Sequence, residues 1–195
     1  MRMANLSDIE YLIISVMGPH AGESEVEIFD RKIQDIKTSG ITFWLMKSHK
    51  AKPNMVQELY FRAKGEGKNS YCLFIGASST GGAVPTKSAM TACSFSKNKI
   101  EWHPLIDVLS PVTGKIDNHT YALTFDELEI INGITDLWHY ADFFDMSSPL
   151  KIIQGASTVC AVRKNMTHHK EKIKSHLRDV MAIGRLCDPG CVYLK

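Results

Sequence analysis

Between Tyr11 and Ile75 the chain alternates short apolar runs with stretches of helical period, and this alternation restricts the available folds more than any other feature. Tyr11 to Met17, Ile41 to Met46 and Tyr71 to Ile75 are short and almost continuously apolar, as strands buried on both faces are. Ser24-Glu25-Val26-Glu27 has the form of a capping box, so a helix should start there. Val26, Phe29, Ile33 and Ile36 then line one helical face, and Gly40 can take the left-handed conformation that ends it. After Pro53, residues Met55, Val56, Leu59, Tyr60 and Ala63 line a second helical face, which Gly65 and Gly67 stop. With right-handed crossovers, strand-helix-strand-helix-strand predicts a parallel sheet layered by helices.

The second half predicts hairpins. Ala92 to Phe95, Lys99 to Trp102 and Tyr121 to Phe125 read as strands without clear helices between them, and Phe125 to Ile131 suits helix or strand until Asn132-Gly133 closes it. Thr135 can cap a helix carrying Leu137, Tyr140, Ala141 and Phe144 on one face. Thr158 to Val162 reads as a strand. Ile173, Leu177, Val180 and Met181 predict a last helix, and Cys191 to Leu194 a closing strand. The expected fold class is α/β: one globular domain over residues 1–195, with a mixed sheet, a β-α-β-α-β N-terminal half and a more antiparallel C-terminal half.

Composition agrees with an ordinary globular chain, at 44% hydrophobic and 23% charged residues. A net charge of +2 gives no whole-molecule field that would select nucleic acid or an anionic membrane, so any basic surface must be local. The apolar run at Tyr11 is too short to span a bilayer and follows Asp8 and Glu10 rather than a basic flank, so no membrane partner is expected. Five cysteines are an odd number, and Cys72 and Cys160 lie inside apolar runs, which points to free thiols and a cytoplasmic chain.

In open parallel sheets, ligands bind beyond the carboxyl ends of the strands, which directs attention to three loops. The first is Gly18-Pro19-His20-Ala21-Gly22. The second, from Lys47 to Pro53, carries Lys47, His49, Lys50 and Lys52; the third, Gly76 to Ser88, carries Ser78, Ser79, Thr80, Gly81, Gly82 and Lys87. Glycines that turn amides outward, hydroxyl donors and lysines would suit a phosphate, although Gly, Ser and Lys are also what surface loops contain. Gly76 and Gly81 have the first-half spacing of a P-loop, but Gly82 and Ala83 stand where Lys and Ser/Thr are required, which excludes a standard nucleotide triphosphatase. No G-x-G-x-x-G or G-x-S-x-G is present, so no cofactor is named and catalysis is left open.

Cys187-Asp188-Pro189-Gly190-Cys191 reads as a tight turn rather than a zinc site, and no metal is expected. The carboxylates of Asp126-Glu127-Glu129 and of Asp136, Asp142 and Asp145 fit helix amphipathicity better than an acid/base pair. The strongest local charge runs from Arg163 to Arg178. A helix with Lys170, Lys174 and Arg178 at i+4 steps, flanked by Arg163 and Lys164, could follow a phosphate backbone, with Trp44 or Trp102 stacking on bases; a solvated outer face explains the same pattern.

Phe43-Trp44-Leu45-Met46-Lys47-Ser48 resembles the opening strand of EVE domains, a likeness covering six of the 195 residues. Those domains are small PUA-like barrels that read modified bases, so the resemblance implies nucleic-acid binding. The leading expectation is a domain binding a phosphate-bearing small ligand, a nucleotide or similar metabolite, at His20, Lys47, His49, Lys50, Ser78, Ser79, Thr80, Gly81 and Gly82. The alternative is a noncatalytic PUA/EVE-like module that binds nucleic acid through a basic C-terminal helix.

Overall fold

A computed structural model describes residues 6–17, 23–47, 51–76, 94–106, 109, 120–146, 150, 158–163 and 177–195. In the N-terminal half, β1 (Tyr11–Met17), α1 (Glu25–Ser39), β2 (Thr42–Lys47), α2 (Pro53–Gly65) and β3 (Ser70–Gly76) follow one another as the alternation predicts. The α1 capping box forms: the Ser24 amide donates to Glu27 Oε2 at 2.8 Å, and the Glu27 amide donates to Ser24 Oγ at 3.3 Å. Gly40 ends α1 at φ 78°, its amide on the Ile36 carbonyl at 2.8 Å. Proline at the first turn of α2 supplies the φ a helix start needs, at a position whose amide would be unbonded in any case.

Six further strands follow: β4 (Ser94–Ser96), β5 (His103–Pro104), β6 (Thr120–Asp136), β7 (Tyr140–Asp142), β8 (Thr158–Arg163) and β9 (Leu177–Leu194). They join the first three in a single mixed sheet, ordered β2-β6-β9-β3-β1-β8-β7, with β4 also on β9 and β5 on β4. The class is therefore broadly α/β, mostly strand with two α-helices among the described residues.

The pairing departs from a parallel sheet. β1 and β3 are adjacent and parallel, but β2 lies at an edge, antiparallel to β6. The cause is β9, whose 18 residues span two half-sheets. Its first half sits between β6 and β3, from Val180 opposite Ile75 to Arg185 opposite Tyr71. Its last residues sit between β6 and β4, with Tyr193 opposite both Tyr121 and Ser96.

Between the halves the β6/β9 register shifts twice, from Leu123 to Glu127, while β9 passes through the cis Asp188–Pro189 bond and Gly190 at φ 84°. Asp188-Pro189-Gly190 thus turns the chain inside a strand instead of joining a helix to one.

Other expectations in this half are corrected. Asn132-Gly133 does not end a strand: Asn132 at φ 50° accommodates a register shift between Ile130 and Gly133, and β6 runs on to Asp136. The helix predicted after Thr135 is absent. Asp136 Oδ1 accepts from the Trp138 amide at 2.9 Å, and Asp142 Oδ1 from those of Phe144 and Asp145 at 2.8 and 3.1 Å, so the short carboxylates seed turns around β7. Leu137 and Tyr140 still share a buried face because the turn, not a helix, brings them together.

The predicted last helix is strand from Leu177 onward. β9 takes an extra residue opposite the step from Phe74 to Ile75, which switches the buried side between Val180 and Ala182 and mimics helical spacing. Lys99 to Trp102 forms a turn between β4 and β5 rather than a strand.

Both faces of the sheet are covered. On one, α1 and α2 pack Phe29, Val56, Leu59 and Ala63 over Ile13, Phe74, Tyr121 and Phe125. On the other, Leu12, Leu73 and Ile183 meet Ile9, Leu137 and Leu150, and a separate cluster joins Phe43, Val192 and Leu194. At about 25 cal/mol per Å² of apolar surface removed from water, this two-sided burial is the main stabilising term.

Candidate functional site

β1 and β3 end flush, with Met17 opposite Gly76. β8 begins beside them, with Thr158 opposite Ser15, and both of these hydroxyl residues are buried. This end of the sheet lies at the Val180 end of β9, because Ile75 pairs with Val180. The segments 18–22 and 77–93 leave from it. His20, Ser78, Ser79, Thr80, Gly81, Gly82 and Lys87 fall in them and lie outside the described residues.

The second loop starts elsewhere. β2 begins opposite Phe125, which pairs with Leu186, and finishes with Lys47 opposite Thr120, beside the Tyr121 that pairs with Tyr193. β2 therefore runs away from the shared end of β1 and β3. At ~3.3 Å per strand residue, the separation along β9 is on the order of 30 Å even after allowing for the bulge. The backbone of Lys47 marks that far end, while His49 and Lys50 lie outside the described residues. Strand order thus brings together the strand ends from which the first and third loops start, Met17 and Gly76, and sets the end of β2 apart from them.

The N-terminus of α1 is already occupied by its own acids. Glu27 holds the Ser24 amide, a bond that keeps the Glu27 carboxyl below its ordinary range, and Glu23 pairs with Arg31 at 2.8 Å. A phosphate arriving there would displace a carboxylate that already complements the helix dipole.

Of the predicted nucleic-acid-binding residues, Lys164, Lys170 and Lys174 lie outside the described residues. Arg163 closes β8, where its amide donates to the Glu10 carbonyl at 2.8 Å. Arg178 stands on β9, its guanidinium on the Leu177 carbonyl at 2.7 Å, so helical i+4 spacing does not extend to it. Trp44, in the strand that resembles EVE domains, stacks on Phe29 with centroids 5.4 Å apart and tilts against Phe74 at 4.4 Å. Its partly buried ring packs against the core cluster beneath the helices, whereas Trp102 is exposed.

The polar groups of the described residues are mostly structural. Arg185 holds Asp126 through two bonds of 2.8 and 3.1 Å and also reaches Glu127 at 3.3 Å, so those acids serve an ion pair. Lys64 and Lys97 share Asp188 at 3.2 and 3.0 Å, which fastens α2 and the β4–β5 turn to the bend in β9. Cys72, Cys160 and Cys191 are buried thiols whose ionisation is pushed up by burial, Cys160 to about 12, and Cys187 rises to about 11 for the same reason. No cluster of three or more metal-ligating side chains occurs among the described residues, and none of their helices is long and apolar enough to cross a membrane.

Sequence reasoning missed two groups. Lys32 and Asp35 form a buried pair at 3.4 Å, and Thr42 donates to Asp35 Oδ2 at 2.8 Å. Both charges sit on the same α1 face as Phe29, and two charges beside an apolar residue in a helix are normally read as solvent-facing. The second group is aromatic and cationic: Lys99 Nζ lies 4.5 Å from the Tyr193 ring centroid and Lys195 Nζ 5.5 Å from that of Trp102. In the sequence Trp102 stands out as a stacking residue, but Lys99 to Trp102 reads as a strand, so the cations beside the two rings are not anticipated. No protein-family model, curated protein or solved structure matches the chain.

Proposed function

We propose that the chain binds a phosphate-bearing small ligand, a nucleotide or similar metabolite, beyond the carboxyl ends of β1 and β3. The observation that supports this reading is the flush ending of the parallel pair, Met17 beside Gly76, since ligands of α/β sheets bind beyond the carboxyl ends of parallel strands. The residues following these ends bring His20, the hydroxyls of Ser78, Ser79 and Thr80, the glycines at 81 and 82, and Lys87 as a cation. The site is narrower than one built from three loops. Lys47 ends the strand that runs the other way, with His49 and Lys50 after it in sequence, and α1 caps itself, so loop amides and hydroxyls are the donors.

A thermal-shift screen of nucleotides and phosphosugars tests the reading. A ligand should raise the melting temperature, Gly81→Val should remove that rise, and Lys47→Ala should leave it intact. A flat screen across both ligand classes refutes the proposal, and loss of the rise in Lys47→Ala refutes the two-loop site.

A further inference from the structure

The far end of the sheet carries a second surface, independent of the phosphate reading. Ser96 pairs with Tyr193, and the amides and carbonyls of Ser94 and Lys195 bond reciprocally at 3.0 Å, so β4 extends the sheet beyond the last residues of β9. Tyr193 and Lys195 are two residues apart on extended backbone and face the same side. The turn after β4 is built by two side chains. Ser96 Oγ accepts from the Asn98 and Lys99 amides at 3.3 and 2.9 Å, and Asn98 Oδ1 from those of Ile100 and Glu101 at 2.8 and 3.1 Å. They hold Lys99 at φ 65°, a conformation a lysine seldom takes, and its ammonium comes to rest over Tyr193. Trp102 follows at 37% exposure, within reach of Lys195.

From this geometry we infer that the Trp102–Tyr193 surface binds single-stranded nucleic acid. Trp102 is exposed and Tyr193 partly exposed, rings of the kind on which unpaired bases stack, and Lys99 and Lys195, each over one ring, are placed to move onto the phosphates between those bases. Lys64 and Lys97, paired with Asp188 at 3.2 and 3.0 Å, bring further positive charge to the bend of β9. A duplex fits less well, because its base faces are closed and its binding depends on a longer track of cations. A fixed turn matters here: a lysine already placed over a ring loses little freedom when a phosphate arrives.

Fluorescence anisotropy with a labelled 12-nucleotide single strand, at 50 and 200 mM salt, provides the test. Binding should weaken with salt, and Trp102→Ala should lower affinity about tenfold, by the usual contribution of one stacked base. Trp102→Phe should restore most of the loss, and Lys99→Ala should flatten the salt dependence. Each variant is checked for an unchanged melting temperature, and Lys99→Ala, fully on the surface, serves if Trp102→Ala is unstable. Absence of binding at 50 mM salt overturns the inference. So does binding that is indifferent to both Trp102→Ala and Lys99→Ala, or equal affinity for a 12-base-pair duplex or for anionic phosphatidylserine vesicles.

Discussion

Replacing Gly190 by alanine should be among the most damaging single-methyl changes available to this chain. Gly190 sits at φ 84° in the bend of β9, and a Cβ there would lie 2.7 Å from Tyr60 Cβ and 3.0 Å from Tyr60 Cγ. The near atom is the rigid start of a side chain on α2, so relief requires the helix or the bend to move. Two costs combine. The left-handed backbone costs a non-glycine residue about 1–2 kcal/mol, of which alanine's stiffer unfolded chain returns roughly 0.5. Overpacking adds about 1–3 kcal/mol. Gly67 separates the two, since it has φ 69° and nothing within 4 Å of an added Cβ. Gly67→Ala should therefore cost about 1 kcal/mol and Gly190→Ala about 2–4, a fall in melting temperature of roughly 3 °C against 6–12 °C for a chain of this size. Urea denaturation with a constant m-value measures both. Equal losses in the two variants would refute the close packing of α2 on the β9 bend.

Gly184→Ala should also destabilise, by about 2 kcal/mol, because its Cβ would meet the buried Phe125 ring at 2.8 Å, and Phe125→Leu should reduce the cost in a double-mutant cycle. Burial lowers the Lys32 ammonium to about 8, with Asp35 opposing. Between pH 8 and 10.5 the unfolded chain binds a proton that the folded chain has released, so stability rises with pH in that window, by no more than about 3 kcal/mol. The urea midpoint of the wild type should gain on that of Lys32→Met between pH 8 and 10, and a constant difference would contradict the burial. At pH 8, thiol labelling read by mass spectrometry should leave Cys72, Cys160 and Cys191 unmodified in the native chain and modified in urea; native labelling of Cys160 would contradict the packing around it.

What was legible in the sequence is what local rules encode. The capping box at Ser24, the left-handed stop at Gly40 and the apolar runs of β1, β2 and β3 each depend on near neighbours, and each is found where those rules place it. Strand order was not legible, because β2 finds its partner 73 to 83 residues away, from Lys47 against Thr120 to Thr42 against Phe125, and no local signal names that partner. The C-terminal half misled for a physical reason. Bulges near Asn132, Phe125 and Val180 switch which side of β6 and β9 is buried, so period-2 patterning is broken and turn residues look like terminators. Of the candidate sites, strand ends could be located from pattern, but the aromatic and cationic surface depended on β4 pairing with Leu194 and Tyr193, a contact between segments about a hundred residues apart.

β9 also sets the order in which the molecule can be made. It touches β3, β4 and β6, yet among the described strands it is synthesised last. During translation β1, α1, β2, α2 and β3 emerge with their hydrophobic faces complete, and β3 lacks the neighbour that closes its free side. Among the described strands the two half-sheets share only β6 and β9, so neither can be sealed until β9 leaves the ribosome. Such a chain folds late and through long-range pairing, and until then its exposed strand edges are a hazard that must be shielded by speed or by a chaperone.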